Sequence, residues 1–353
     1  MSEVWLSHLQ SIGAQFDQGR IVTFGNQALE DKALKNSSAI LCDLSHQGLI
    51  RVTGEDAAAF LHAQFCNDIL ALGDHTAQWN GWCSPKGRLL ATFLIWKTPQ
   101  EYFLQLPRVL QAAIQKRLQM FVLRSKVKLE DVSSDWVRIG IAGPGVETVL
   151  QNMTRNIPPC PMQAVSLNLG WLIRISARRF EIVTAAEQAI PYWNALAITA
   201  CTIGANGWDW LTLQEGLVTI LPATQDTFVP QMVNFDLIGG LSFKKGCYPG
   251  QEIVARTLYR GILKRRMVLA HIGIDHTPQP GEKIYSTHFG DQAAGEIANA
   301  AKAPNGGFDA LVVAQIESIK TDDLKYGAMD GPVLTLLPLP YTIPFPIQPV
   351  SRQ

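Results

Sequence analysis

The chain is short of charge, of paired cysteines and of long apolar runs. Only 17% of its 353 residues are charged, and 30 Lys+Arg balance 30 Asp+Glu. That neutrality leaves no whole-protein electrostatic footprint for nucleic acid, although a local patch can hide in a neutral total. The six cysteines, Cys42, Cys66, Cys83, Cys160, Cys201 and Cys247, contain no CxxC pair. Neither a metal site nor a small disulfide framework is indicated, and the thiols are read as reduced. The longest largely apolar run, Leu89 to Trp96, has Thr92 inside it and falls far below the ~20 residues that span a bilayer. The opening MSEVWLSHLQ lacks the basic start, the apolar stretch of roughly 7 to 15 residues and the small-residue cleavage site of a secretory signal. A cytoplasmic protein without a membrane segment is expected.

What is present is a globular composition, 47% hydrophobic, and a length that predicts two or three domains. Leu49 to Thr53 reads as a strand, Gly54 breaks it, and Glu55 to Phe65 reads as a helix with Ala58, Leu61 and Phe65 on one face. The pattern recurs in the strand Val137 to Ala142, the turn Gly143-Pro144-Gly145 and the helix Val146 to Met153. Each unit has a second echo: Tyr102 to Leu106 leads to the helical stretch Arg108 to Met120, and Phe180 to Thr184 to the stretch Glu187 to Ile198. After about Leu263 short apolar strands follow (Met267 to Ile274, Lys283 to Ser286, Ala310 to Ile316, Val333 to Leu337), separated by turn residues, which reads as a small antiparallel barrel.

Ser242 to Glu252 is the densest cluster of special residue types. Gly246 and Gly250 bracket a tight loop, Gln251 and Glu252 stand where a helix would begin, and Ile253, Val254, Thr257 and Leu258 continue with helical spacing until Gly261. Cys247 then precedes a helix N-terminus beside Lys244 and Lys245. Together these lower a thiol from about 8.5 towards about 7.5, which makes a reactive thiol; the other reading is a cysteine packed beneath a loop. Residues 244 to 266 hold seven basic side chains, Lys244, Lys245, Arg256, Arg260, Lys264, Arg265 and Arg266, against the single acid Glu252. Such a stretch is either a solvated face or a surface for RNA, a protein or an anionic ligand.

Lys245 to Glu252, KGCYPGQE, fills every fixed position of a KGCYxGQE signature. In this the chain resembles the bacterial folate-binding, tRNA-modifying YgfZ family, relatives of the glycine-cleavage aminomethyltransferases. The likeness extends to Asp43 to Gly48, Val52 to Ala57 with Asn67-Asp68, Ile141 to Pro144, and Phe228 to Gln231. The resemblance implies an α+β fold: a three-domain cloverleaf of two ferredoxin-like α/β domains and a C-terminal antiparallel β-barrel. The expected boundaries are 1–48 with 133–232, 49–132 with 233–262, and 263–353. It also implies a tetrahydrofolate site, or one for a one-carbon derivative, and an accessory role for iron-sulfur enzymes or their assembly factors, including tRNA-methylthiolating ones, with indirect contact to tRNA. Cys247 is the implied essential thiol, and Trp208, Gln214, Glu215, Lys245, Tyr248, Gln251 and Glu252 are the implied folate contacts. Trp208 stands where the family's folate-lining tryptophan precedes a Leu-Glu-Ala-Gly-like stretch, here Leu213-Gln214-Glu215-Gly216. It would stack on a pterin, with Trp210 as the alternative and a core tryptophan as the plain reading.

The chain departs from the aminomethyltransferase pattern in two places. Gln214 takes the position of the Glu that reads the pterin amide edge, with Glu215 next to it. Gly87-Arg88-Leu89-Leu90-Ala91-Thr92 lacks the carboxylate that assists one-carbon transfer; Ala91 and Thr92 cannot exchange a proton at a folate nitrogen as a carboxylate can. Glycine-cleavage activity is therefore not expected, and folate-dependent aminomethyl transfer or a folate-free RNA- or protein-binding scaffold are the alternatives. Three lesser features read as structure. Asp43, Ser45 and His46 lie too close in sequence to converge as a triad, Gly143-Pro144-Gly145 lacks the full phosphate-loop glycine pattern, and Cys83 with Lys86-Gly87 matches a Cys-x-x-Lys-Gly element in which Ser84 replaces an expected Asp.

Overall fold

A computed structural model describes residues 1–259 and 263–344. The chain is α+β and divides into two compact units, neither continuous in sequence. One comprises Met1–Ala57, Leu72–Gln78 and Leu94–Trp208; the other comprises Ala58–Ala71, Trp79–Phe93 and the chain from Asp209 onward.

The first unit contains a six-stranded sheet in the order Gln163–Leu167, Gly170–Ser176, Arg179–Ala185, Trp136–Ala142, Ile40–Asp43 and Cys201–Ile203. All pairs are antiparallel except the last. Period-two alternation sorts its two faces. Val137, Ile139 and Ile141 join Trp5, Leu9, Val146, Leu150 and Trp193 in an apolar core, so the helices Glu3–Ser11, Val146–Met153 and Ala186–Ala197 cover that face. Each such side chain taken from water contributes roughly 1.5–3 kcal/mol. Arg138 and Gly140 point to the opposite face, with their register partners Val183 and Glu181. A five-stranded sheet has the order Ala77–Cys83, Leu89–Lys97, Glu101–Pro107, Gln47–Thr53 and Lys128–Asp131. The run Leu89 to Trp96 is buried at every position, which explains why it does not alternate. The two expected strand, glycine, helix units are present, and Gly54 and Gly143 hold matching φ values of 119° and 118°.

The C-terminal region forms a six-stranded antiparallel sheet curled into a half-barrel, in the order Lys325–Tyr326, Lys283–Tyr285, Gly295–Lys302, Phe308–Gln315, Arg265–Ile272 and Thr335–Leu337. The strand Gly295–Lys302 was not expected. Its register shifts between Ile297 and Asn299, and Asn299 exchanges two hydrogen bonds of 2.8 Å with the backbone of Thr219. Among the described residues no helix is long and apolar enough to cross a membrane.

Candidate functional site

The helix Ala57–Gln64 ends, as every helix does, with carbonyls that have no partner within it. Lys245 supplies them: its Nζ donates to the carbonyl oxygens of His62 and Phe65. An ammonium at a helix C-terminus is also favoured by the peptide dipoles, by about 0.3–1 kcal/mol at the surface and up to ~2 kcal/mol when partly buried. The side chain is only 9% exposed. Burial draws Lys245 down to about 8, against the opposing influence of Cys66, Asp68 and Cys247. Tyr248 is 6% exposed, its ring centroid lies 5.1 Å from Lys245 Nζ, and burial pushes its phenol far up, so it stays neutral.

Cys247, between these two buried anchors, is exposed. A cysteine packed beneath a loop is therefore not what the fold builds. The helix Gln251–Tyr259 follows, with Gln251 half-buried and Glu252 exposed, and Gln231 Nε2 donates 2.7 Å to the Val254 carbonyl. Gly250 makes the turn possible. Its φ is +78° and an added Cβ would lie 2.4 Å from the Ser84 carbonyl oxygen, so no other residue fits.

His62 and Asp68, which the sequence did not single out as site residues, lie beside this segment. His62 Nδ1 is 3.2 Å from Asp68 Oδ1, and a Cβ on Gly246 would stand 3.6 Å from His62 Nε2. Burial and the Lys245 charge lower the His62 imidazole, and Asp68 works the other way. Cys66 and Cys83 are both buried; Cys66 Sγ donates 3.4 Å to the Gly240 carbonyl, and a hydrogen bond with Cys66 together with burial pushes the Cys83 thiol up. Ser84 Oγ donates 2.6 Å to Asp226. Ala91 is fully buried, and Thr92 Oγ1 donates to the Val218 carbonyl at 3.4 Å while accepting from Ile220 N–H at 3.2 Å.

The helix Ala205–Gln214 carries Trp208, which falls in the first unit, and Gln214, which falls in the second. Gln214 Nε2 and Trp210 Nε1 both donate to Asp309 Oδ2, at 2.9 and 2.7 Å, and Asp309 Oδ1 lies 2.8 Å from His271 Nδ1. Glu215 is half-buried. In the first unit Trp208 is 3% exposed, with the Arg179 guanidinium 4.1 Å from its ring centroid. It packs onto Gly140, where an added Cβ would come within 2.6 Å of the indole. The same sheet face is polar and buried. Gln105 Nε2 donates 2.8 Å to Glu181, and Arg138 Nη2 donates 2.7 Å to the Gln47 carbonyl. Arg138 Nε and Nη1 and Gln105 Oε1 have no hydrogen-bond partner. Burial lowers Arg138 to about 10.

Two members of the basic stretch turn inward: Lys245, as above, and Arg266, which forks onto Asp236 at 2.7 and 2.8 Å. Lys244, Arg256 and Lys264 are exposed, Arg265 is half-buried, and Arg260 lies outside the described residues. Asp43 accepts from Trp5 Nε1 and from the hydroxyl and N–H of Ser45 at 2.8, 2.8 and 3.0 Å, the bonds of a locked turn.

The GCVT N-terminal domain family matches residues 12–236. Among solved structures, the glycine cleavage system aminomethyltransferase T of Bartonella henselae superposes with a TM-score of 0.78 at 16% identity, covering 96% of this chain and 97% of that one. The fold is thus that of an aminomethyltransferase T. Two relatives are the tRNA-modifying proteins YgfZ of Vibrio vulnificus (strain CMCP6) and Photobacterium profundum. The first is 30% identical over 71% of this chain and 81% of its own length, the second 29% identical over 90% and 94%. The chain belongs to the GCVT N-terminal domain family and, within it, to the family of the tRNA-modifying YgfZ proteins.

Proposed function

We propose that this protein is a tetrahydrofolate-binding accessory factor in tRNA modification, supporting iron-sulfur enzymes such as the methylthiolating ones, with Cys247 as its working thiol. The observation that carries the reading is the KGCYPGQE segment. It buries Lys245 and Tyr248 as anchors and leaves Cys247 alone among these three side chains exposed, on a segment fixed by a helix C-terminus and a glycine turn. A thiol so held can meet a macromolecular partner without a loop rearrangement.

The folate part rests on the polar layer around Trp208. Buried donors without acceptors cost about 1–3 kcal/mol each, and the orphaned Arg138 nitrogens and Gln105 oxygen fit a flat, polar heterocycle that offers both donors and acceptors. Trp208 would give such a ring an apolar wall. A bound reduced folate supplies a one-carbon unit; the chain itself has no carboxylate at Ala91 or Thr92 to assist its transfer to an amine.

The test is a titration with tetrahydrofolate followed by tryptophan fluorescence in wild type and Trp208→Phe. The reading expects saturable quenching that loses amplitude or affinity in the variant. Absence of binding to the wild-type protein would remove the folate part.

A further inference from the structure

We propose that the outer face of the helix Arg108–Gln119, with the turn that follows it, is a docking surface for an acidic segment of a partner protein that presents an apolar helix face. The surface lies wholly within the first unit and stands apart from the thiol and folate readings.

The helix gives one side to the core, where Leu110, Ile114 and Leu118 are buried at four-residue spacing. At about 100° per residue, Val109, Ala113, Lys116 and Met120 fall within about 60° of one another on the other side. The outward side of a surface helix is ordinarily polar. Here Val109 is 68% and Met120 63% exposed, with the exposed Ala112 and Ala113 between them. The turn extends the row, because Phe121 is exposed and Leu123 is 88% exposed, while Val122 between them is buried and anchors it. The N–H groups of Phe121, Val122 and Ser125 donate to the carbonyls of Leu118, Gln119 and Val122 at 2.9, 3.2 and 2.8 Å, so the turn is a built one. Leu123 holds a left-handed φ of 46°, which glycine or asparagine adopts more readily. Four large apolar side chains held outward in one run mark a surface that a partner covers.

Charge selects the partner. Residues 109–128 hold five bases, Lys116, Arg117, Arg124, Lys126 and Lys128, and no acid. Lys126 is engaged by Glu55 at 2.7 Å and Lys128 by Glu130 at 2.6 Å. Lys116 and Arg124 are exposed, the first within the apolar row and the second next to Leu123. A partner that covers Val109 and Met120 must bring a carboxylate to Lys116, because an ammonium taken from water without a counter-charge is costly. A bilayer would set hydrocarbon around Lys116 wherever Val109 and Met120 insert. RNA would find, among these four apolar side chains, only the Phe121 ring for a base to stack on. An amphipathic helix with Asp or Glu along its margin supplies both the apolar area and the opposite charge.

The test is photo-crosslinking of the whole chain in cells, with p-benzoylphenylalanine placed at Leu123 or, as the control, at Ile198, which is 83% exposed in the same unit. Adducts are identified by mass spectrometry down to the crosslinked peptide. The expected result is a protein adduct at Leu123 that Ile198 does not give, joined through a segment with net negative charge and helical apolar spacing. Lys116→Glu combined with Arg124→Glu should lower its yield about tenfold at an unchanged melting temperature. Exchanging the acids of the identified segment for lysine should then restore the yield in that double variant. A yield indifferent to the charge reversal, an adduct with lipid, with RNA or with a second copy of this chain, or no adduct above the Ile198 level overturns the proposal.

Discussion

The surroundings of Trp208 and those of Cys247 are built on opposite plans. Around Trp208 the fold buries charge: Arg138, Arg179 and Glu181 lie within the first unit, and Arg138 Nε and Nη1 have no hydrogen-bond partner. Beneath Cys247 the buried Lys245 ammonium is satisfied by two carbonyls, and the Cys247 side chain is left exposed. Incomplete pairing in a buried layer is the mark of a surface that a ligand completes. A buried, paired anchor beneath one exposed side chain is the mark of a rigid mount.

The largest effect expected from that contrast comes from Arg138→Leu. Removing this guanidinium leaves the Asp43 and Glu181 carboxylates without the cation that faces them in the interior, and the expected loss is about 3–5 kcal/mol, read as a drop in urea midpoint. A loss below ~1 kcal/mol would mean the layer is wetter than described. Next come the glycines. Gly250→Ala combines a left-handed φ with a backbone overlap and should cost about 2–4 kcal/mol. Gly140→Ala presses on the movable Trp208 ring and should cost about 1–3 kcal/mol, with a change in tryptophan emission that Gly250→Ala does not produce.

Lys245→Met should cost about 1–3 kcal/mol by stranding two helix carbonyls, and its pH dependence has a definite sign. The folded value near 8 lies below the ordinary one of about 10.4, so the unfolded chain holds the proton more tightly between them. The stability of wild type relative to Lys245→Met should therefore rise as pH climbs from about 8 to about 10, measured by denaturant melts. Cys247→Ser is the smallest, within about ±0.5 kcal/mol, because the side chain is exposed. A large loss there would erase the contrast.

The periodic elements were legible because their side chains state which way they face. The helix Val146–Met153 lies where strand, glycine and apolar spacing put it, and Arg108–Gln119 is one residue short of its expected end. The helix expected over Glu55 to Phe65 is confined to Ala57–Gln64. Gly295–Lys302, GEIANAAK, escaped because small and amide residues carry little strand propensity, and only the neighbouring strands and the Asn299 clasp on Thr219 hold it extended. In the site, the octapeptide stood out by its composition. The roles of its members did not: nothing in the spacing says that Lys245 caps a helix some 180 residues earlier, nor that His62, inside an ordinary helical run, ends up facing Gly246. The basic stretch could not be sorted for the same reason, since charge counts do not tell that Arg266 points at Asp236.

The central claim is that Cys247 does the work and the rest of its segment holds it. The most direct measurement is tRNA methylthiolation in cells that depend on this protein, with Cys247→Ser compared against wild type at matched melting temperature and abundance. The account predicts that methylthiolation falls to the level of cells lacking the protein while stability is unchanged. Wild-type methylthiolation in Cys247→Ser would contradict it.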